Sequence, residues 1–324
     1  MKLYKYTLIS ILLILTIAVT GCSQKTEELK DPNKLQIVAS LFPQYDFAKQ
    51  IGGDFVQVSL ILPPGVEAHA FDPKPKDIIV MSEADILLYT SDAMEPWVKD
   101  LIENIDVNQT QIIDLSKNIT LLASDHEDEE GEEHEDEEDE NHEDESQYDP
   151  HYWLDPQNAI LMVETITNEL IKAMPEQDVY FLANAEKLTA DLMALDEEIQ
   201  LSVEKMTSKT ILSGGHFAFG YFAHRYGLEH VSPYNGFSPD AEPLSKEIKE
   251  MMNTITTTNA KAIFYEELID PRVAKTISEQ TGVELLLLHG AHNLSKKELK
   301  DGVTYLEIMK GNLERLKVGL NFNE

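Results

Sequence analysis

The sequence predicts an α/β protein with two parallel-sheet lobes joined by a helical connector. Three observations carry that expectation. Short apolar runs alternate with amphipathic segments in two separate sets, an almost continuous helical stretch lies between the sets, and 324 residues suffice for two domains of roughly 100–200 residues each. In the first set, Leu35 to Leu41 reads as a buried strand, followed by Pro43 and a helical stretch from Tyr45 to Ile51. Val56 to Leu62 is a second strand, closed by Pro63-Pro64-Gly65. Lys76 to Ser82 is helical, Ala84 to Tyr89 strand-like, Trp97 to Asn104 helical and Gln111 to Leu115 strand-like. Asp155 to Met206 is helical almost throughout, broken at Pro175. The second set is Thr210 to Leu212, a helix over 216–226, Ala262 to Phe264, a helix over 271–281, Val283 to Leu288 and a helix over 302–320. Alternation of this kind implies parallel sheets covered by helices on both faces.

Composition excludes several functions. The formal net charge is −33, and 16 acidic groups with no base sit between residues 125 and 145. Such a chain repels phosphate backbones, so nucleic acid is a poor partner. A single cysteine, Cys22, rules out a disulfide framework or a thiolate metal cluster. The one stretch apolar enough for a bilayer is amino-terminal: Lys2 and Lys5 precede an apolar core from Ile9 to Val19, as in a secretory signal. Val19-Thr20-Gly21-Cys22 then resembles a bacterial lipobox, which implies a signal peptide over 1–21 and a lipid anchor on Cys22. An uncleaved membrane anchor is the plain alternative. Residues 22–34, with Pro32, suit a flexible tether.

In open parallel sheets, ligands sit outside the carboxyl ends of the strands. Histidines occupy those positions here. His69 follows a strand and a Pro-Pro-Gly turn, His151 lies between two Asp-Pro pairs, His216 follows Gly214-Gly215, and His289 and His292 follow an apolar strand. Neutral imidazole suits Zn²⁺ in tetrahedral geometry, with Zn–N near 2.0–2.1 Å. Any one of these histidines reads more simply as a hydrogen-bonded loop residue; recurrence at strand ends in both sets favours a metal. No HExxH or CxxC supplies a local zinc motif.

Three segments carry a resemblance. Gly65-Val66-Glu67-Ala68-His69-Ala70-Phe71-Asp72-Pro73-Lys74-Pro75, Asp149-Pro150-His151-Tyr152-Trp153-Leu154-Asp155-Pro156 and Gly214-Gly215-His216-Phe217-Ala218-Phe219 with the residues up to Leu228 are similar to signature segments of zinc-specific substrate-binding lipoproteins of ABC importers. The likeness runs from about Leu35 to Leu320. It implies an amino-terminal lobe over 35–175, one long rigid linking helix over 176–206 and a carboxyl-terminal lobe over 207–324, with the metal site in the cleft between the lobes. It maps metal ligands onto His69, His151 and His216. Counting back from Tyr305, the position that carries a carboxylate in many relatives matches His292, which is the favoured fourth ligand; His289 or a water is the alternative. Glu67 is a candidate to orient His69, or else a solvated loop acid. His224 and His230 read as surface residues.

The segment 124–147 repeats His126, His134 and His142 every eight residues in an acidic background. It reads as a solvated insertion without regular structure, or as a weak auxiliary zinc collector in which Ca²⁺ and Mg²⁺ compete. The expectation is a non-enzymatic receptor, monomeric and anchored outside the cytoplasmic membrane. It would capture Zn²⁺ and pass it to an ABC permease with its ATPase. A surface zinc hydrolase is the runner-up if only three histidines bind, since a catalytic zinc keeps a position for water. A manganese or iron receptor and a cell-adhesion protein complete the alternatives.

Overall fold

In the computed structural model, which describes residues 31–105, 109–123, 148–234, 243 and 245–323, a four-stranded parallel sheet is followed by two two-stranded parallel sheets that a single bridge joins in the same strand order. The expected signal peptide, Cys22, most of the tether and the acidic segment with His126, His134 and His142 lie outside the described residues. No helix among the described residues is long and apolar enough to cross a membrane.

The first sheet is built from β1 (Leu35–Ala39), β2 (Val56–Leu60), β3 (Ile86–Tyr89) and β4 (Gln111–Asp114), in the order β2-β1-β3-β4. Of the two strands paired on both sides, β3 is apolar throughout and β1 is apolar except for Gln36, whereas edge strand β4 begins at an exposed Gln111. Helices α1 (Phe42–Gly52), α2 (Pro75–Ser82) and α3 (Trp97–Asn104) supply the crossovers. Each of α1 and α2 has a proline in its first turn, where the missing N–H costs nothing.

A single-turn helix at Tyr152–Leu154 leads into α4 (Pro156–Ala173), capped by the Asp155 carboxylate, which accepts from Gln157 N. Pro175 breaks the run, and α5 (Asp178–Lys205) follows, inside the span expected for the linking helix. Its buried residues Phe181, Ala185, Leu188, Leu192, Leu195, Ile199 and Ser202 recur at spacings of four and three, so one stripe of a 28-residue helix faces the core.

The second sheet holds β5 (Thr210–Leu212), β6 (Glu229–Val231), β7 (Ala262–Tyr265) and β8 (Glu284–Leu287). β5 pairs with β6 and β7 with β8; a parallel bridge between Ser213 and Phe264, reinforced by Gly214 N donating to Phe264 O at 2.8 Å, joins the pairs. The order is therefore β6-β5-β7-β8, repeating that of the first sheet. Around it lie α6 (Gly220–Tyr226), α7 (Ser245–Thr258), α8 (Arg272–Thr281), α9 (Lys296–Asp301) and α10 (Tyr305–Gly319).

Three details depart from the sequence reading. The helix expected over 216–226 begins only at Gly220, leaving His216 in an extended loop. The helix expected over 302–320 starts later, at Tyr305: Gly302, at φ 72°, closes the separate and unanticipated α9 in the left-handed conformation, and Thr304 starts α10 through a capping box with Glu307. β6 and α7 were not anticipated; β6 is only three residues long with a mostly polar sequence, so it carries almost no apolar signal.

Alternation along the strands divides the core. Ile37, Ile86, Leu88, Ile211 and Phe264 join one continuous cluster with α1, α4, α5, α6 and α10. Val38 and Leu87 face instead a smaller cluster with Met81 and Leu101, while Leu212 and Ile263 face another with Met251, Ile255, Ala274 and Ile277. The two sheets thus share one core on their inner side and have private cores on the other.

Candidate metal centre

Loops, not helices, carry His69, His151, His216 and His292. His69 lies in the loop between β2 and α2, where the Glu67 carboxylate accepts the backbone N–H of His69 and of Ala70, both at 2.8 Å. Glu67 thereby fixes the loop through its main chain. His151 is fully buried, and its Nδ1 lies 2.7 Å from Asp149 Oδ1, which also accepts its backbone N–H at 2.9 Å. Gly220 makes room for that carboxylate: a Cβ there would stand 2.3 Å from Asp149 Oδ2. His216 follows Gly214, whose own Cβ would lie 2.4 Å from Ala274 Cβ, so only glycine lets the loop cross the start of α8.

His292 is placed by a strained, heavily bonded loop. Ala291 before it is buried at φ 56°, a left-handed conformation unusual for a residue with a Cβ. This loop is also stitched to the first sheet's side. Phe42 N donates to His292 O at 3.0 Å, Asn293 Nδ2 donates to Pro63 O and Val66 O at 2.8 and 2.9 Å, and Trp153 Nε1 donates to Gly290 O at 2.8 Å. The main chains carrying His69, His151 and His292 are therefore linked directly.

The structure brings His69, His151, His216 and His292 together. One nitrogen from each lies within 4.8 Å of the other three, and His69 Nε2 and His151 Nε2 are 3.1 Å apart. A tetrahedral zinc shell has an edge of roughly 3.3 Å at ordinary Zn–N lengths, so the set has the right scale. His216 Nε2 and His292 Nε2 are buried with no hydrogen-bond partner among the described residues, a costly arrangement that a cation would relieve. His289 stays outside the set. Its Nδ1 stands 3.2 Å from Glu267 and its Nε2 3.6 Å from Glu298. His224 is exposed on α6, and His230 stacks on Phe217 at 4.0 Å between ring centres.

Electrostatics separates the rings. Burial, aided by the nearby His292 and His216, lowers the His69 pKa to about 2, and burial holds His151 well below its ordinary value. Burial acts the same way on His292, but Glu266 and Glu267 overcome it and raise its pKa. His289 is likewise penalised by burial yet pushed up to about 9 by Glu267. Glu267 is held well below the carboxylate range: burial opposes that, and the His289 charge prevails.

Asp149, Glu266, Glu267 and Asn293 were not singled out from sequence. Glu266 and Glu267 follow an apolar strand as the histidines do, so the strand-end criterion, applied to acids, would have found them.

The comparisons with known proteins agree with this architecture. The profile of the family described as zinc-uptake complex component A, periplasmic, matches residues 37–319. The high-affinity zinc uptake system protein ZnuA of Bacillus subtilis is 35% identical over 307 residues, 95% of this chain and 94% of its own. The zinc-binding protein AdcA of Streptococcus pyogenes is 34% identical over 289 residues, 88% of this chain but 56% of its own, so the chain spans about half the length of that relative. The crystal structure of the Zn(II)-bound ZnuA-like domain of Streptococcus pneumoniae AdcA superposes with a TM-score of 0.73 at 30% identity, covering 89% of this chain and 99% of that domain. A match over most of the length, on a fold of two parallel sheets with histidines between them, means that the chain belongs to the zinc-uptake complex component A family.

Proposed function

We propose that this chain is an extracytoplasmic receptor that binds Zn²⁺ through His69, His151, His216 and His292 and delivers it to an ABC permease with its ATPase. The convergence of four imidazoles from four separate loops, three of them buried and His69 half-buried, carries the reading. Four neutral nitrogen donors suit Zn²⁺, whereas Mn²⁺ prefers oxygen, so the donor set argues against a manganese receptor. A closed shell of four also leaves no position for a reactive water. Family membership agrees: this is a binding component of a transport system and not an enzyme, which removes the hydrolase alternative.

Anchoring through a lipid on Cys22 would hold the receptor beside its permease, and the relatives' zinc-binding names support zinc as cargo. The acidic segment 124–147 would act at most as a weak collector beside the centre. Its flanks meet at Ala123 and Tyr148 in an antiparallel bridge, three residues before His151.

Titration calorimetry of Zn²⁺ and Mn²⁺ into protein lacking residues 1–22 tests the proposal. One tight Zn²⁺ site that survives deletion of 125–145 and weakens at least about 100-fold in His292→Ala is expected, with His289→Ala close to wild type. Unchanged affinity in His292→Ala would place the fourth ligand elsewhere. Loss of all binding on deleting the segment would remove the centre from between the sheets.

A further inference from the structure

The strand order of the second sheet puts the end of β7 between the ends of β5 and β8. His216 follows β5 and His292 follows β8; the residue directly past β7 is Glu266. Its carboxylate reaches both ways. Oε2 lies 2.8 Å from His216 Nδ1 and Oε1 lies 3.1 Å from His292 Nδ1. These are close contacts of charge rather than aligned hydrogen bonds, and the carboxylate side chain is only 8% exposed, so little water screens it. Glu267 occupies the other flank, with Oε1 in a long hydrogen bond of 3.5 Å to His292 Nδ1, farther than Glu266, and Oε2 accepting Gly290 N at 2.6 Å.

Gly290 gives an independent steric sign of the same arrangement. A Cβ there would stand 2.5 Å from His292 Cε1 and Nδ1 and 2.9 Å from Glu266 Oε1. The His292 ring can seat against Glu266 only over a residue without a side chain.

We propose that Glu266 is the positioning residue of the metal centre, a single carboxylate shared by the two histidines of the second sheet. It fixes each ring with Nδ1 toward the carboxylate and Nε2 toward the metal, and it makes both better donors. A carboxylate behind a ligating imidazole commonly does this for one ring. Here the order β5-β7-β8 lets one residue serve two, so the pair behaves as one preorganised chelate. Asp149 serves His151 separately, and the Glu67 contacts fix His69 only through its backbone. The proposal rests on the four-histidine reading of the centre.

The test is Glu266→Gln, which keeps the size but removes the charge and, because His216 Nδ1 and His292 Nδ1 face different oxygens, turns an amide NH2 toward one of the two rings. Zn²⁺ affinity should fall about 10–100-fold. The visible bands of the Co²⁺-loaded protein, which report ligand orientation directly, should shift, while the metal-free protein melts near the wild-type temperature. Gly290→Ala should reproduce the loss by lifting His292 off the carboxylate, and the double variant should lose less than the two losses combined. It also carries the test if Glu266→Gln does not fold. Wild-type affinity and an unchanged Co²⁺ spectrum in Glu266→Gln, with His216→Ala and His292→Ala both weakened, would overturn the positioning role and leave the four-histidine centre intact. Affinity lost only in step with lost metal-free stability would overturn it too. Histidine variants that bind as wild type would instead remove the centre itself, and the role of Glu266 with it.

Discussion

Burial keeps the His69 and His151 rings neutral, with the His69 pKa lowered to about 2 and that of His151 well below its ordinary value. A neutral imidazole is the form that binds metal, so these two have no proton to lose. His292 differs. Burial opposes its charge, but Glu266 and Glu267 raise its pKa, so a proton competes with the metal at that ring. The sign follows: affinity falls as pH drops below the raised His292 value, and His69 and His151 add nothing to the fall between about pH 5 and 8. Zn²⁺ binding at about pH 5.5, where an ordinary imidazole is mostly protonated, should therefore release at most two protons from the four rings. Calorimetry in buffers of different ionisation enthalpy counts them, and a count near four would contradict the burial argument.

Among the elements, the turns after strands matter more than the strands. Gly214 lets the His216 loop pass over the start of α8, and a methyl group there meets Ala274 Cβ at 2.4 Å and its Cα at 2.6 Å. Gly214→Ala should cost about 1–3 kcal/mol and lower the melting temperature, with zinc affinity reduced as the loop is displaced. Thermal melts with and without Zn²⁺ check both; an unchanged melt would mean that α8 yields freely. These loops also show what could be read in advance. Apolar runs such as Ile86–Tyr89 are paired on both sides and declare themselves, and the histidines stood out because each followed a strand or lay between prolines. The partners did not. Glu266 lies 50 residues from His216 and 26 from His292, and only the lateral order of β5, β7 and β8 brings them together. Asn293 reaches Pro63 and Val66 across more than 200 residues. Such contacts depend on strand order, which local periodicity does not encode.

At the level of the whole molecule, one apolar cluster takes side chains from both sheets, with the inner stripe of α5 running through it. The sheets should consequently unfold together. Leu192, fully buried on that stripe, is the probe: Leu192→Ala should cost about 2–5 kcal/mol and lower one cooperative transition. Calorimetric traces with two separate transitions, only one of them moved, would show independent lobes. The shared core also bears on release. With the proposed ligands drawn from both sheets and the His292 loop bonded to Phe42, Pro63, Val66 and Trp153, parting the sheets to free the metal would strain those cross-links. A permease would act most directly on that loop. X-ray absorption at the zinc edge of the loaded protein reads the proposed four-imidazole shell itself. Four nitrogens near 2.0–2.1 Å with the outer-shell scattering of four imidazole rings are expected. Three imidazoles with an oxygen would contradict it.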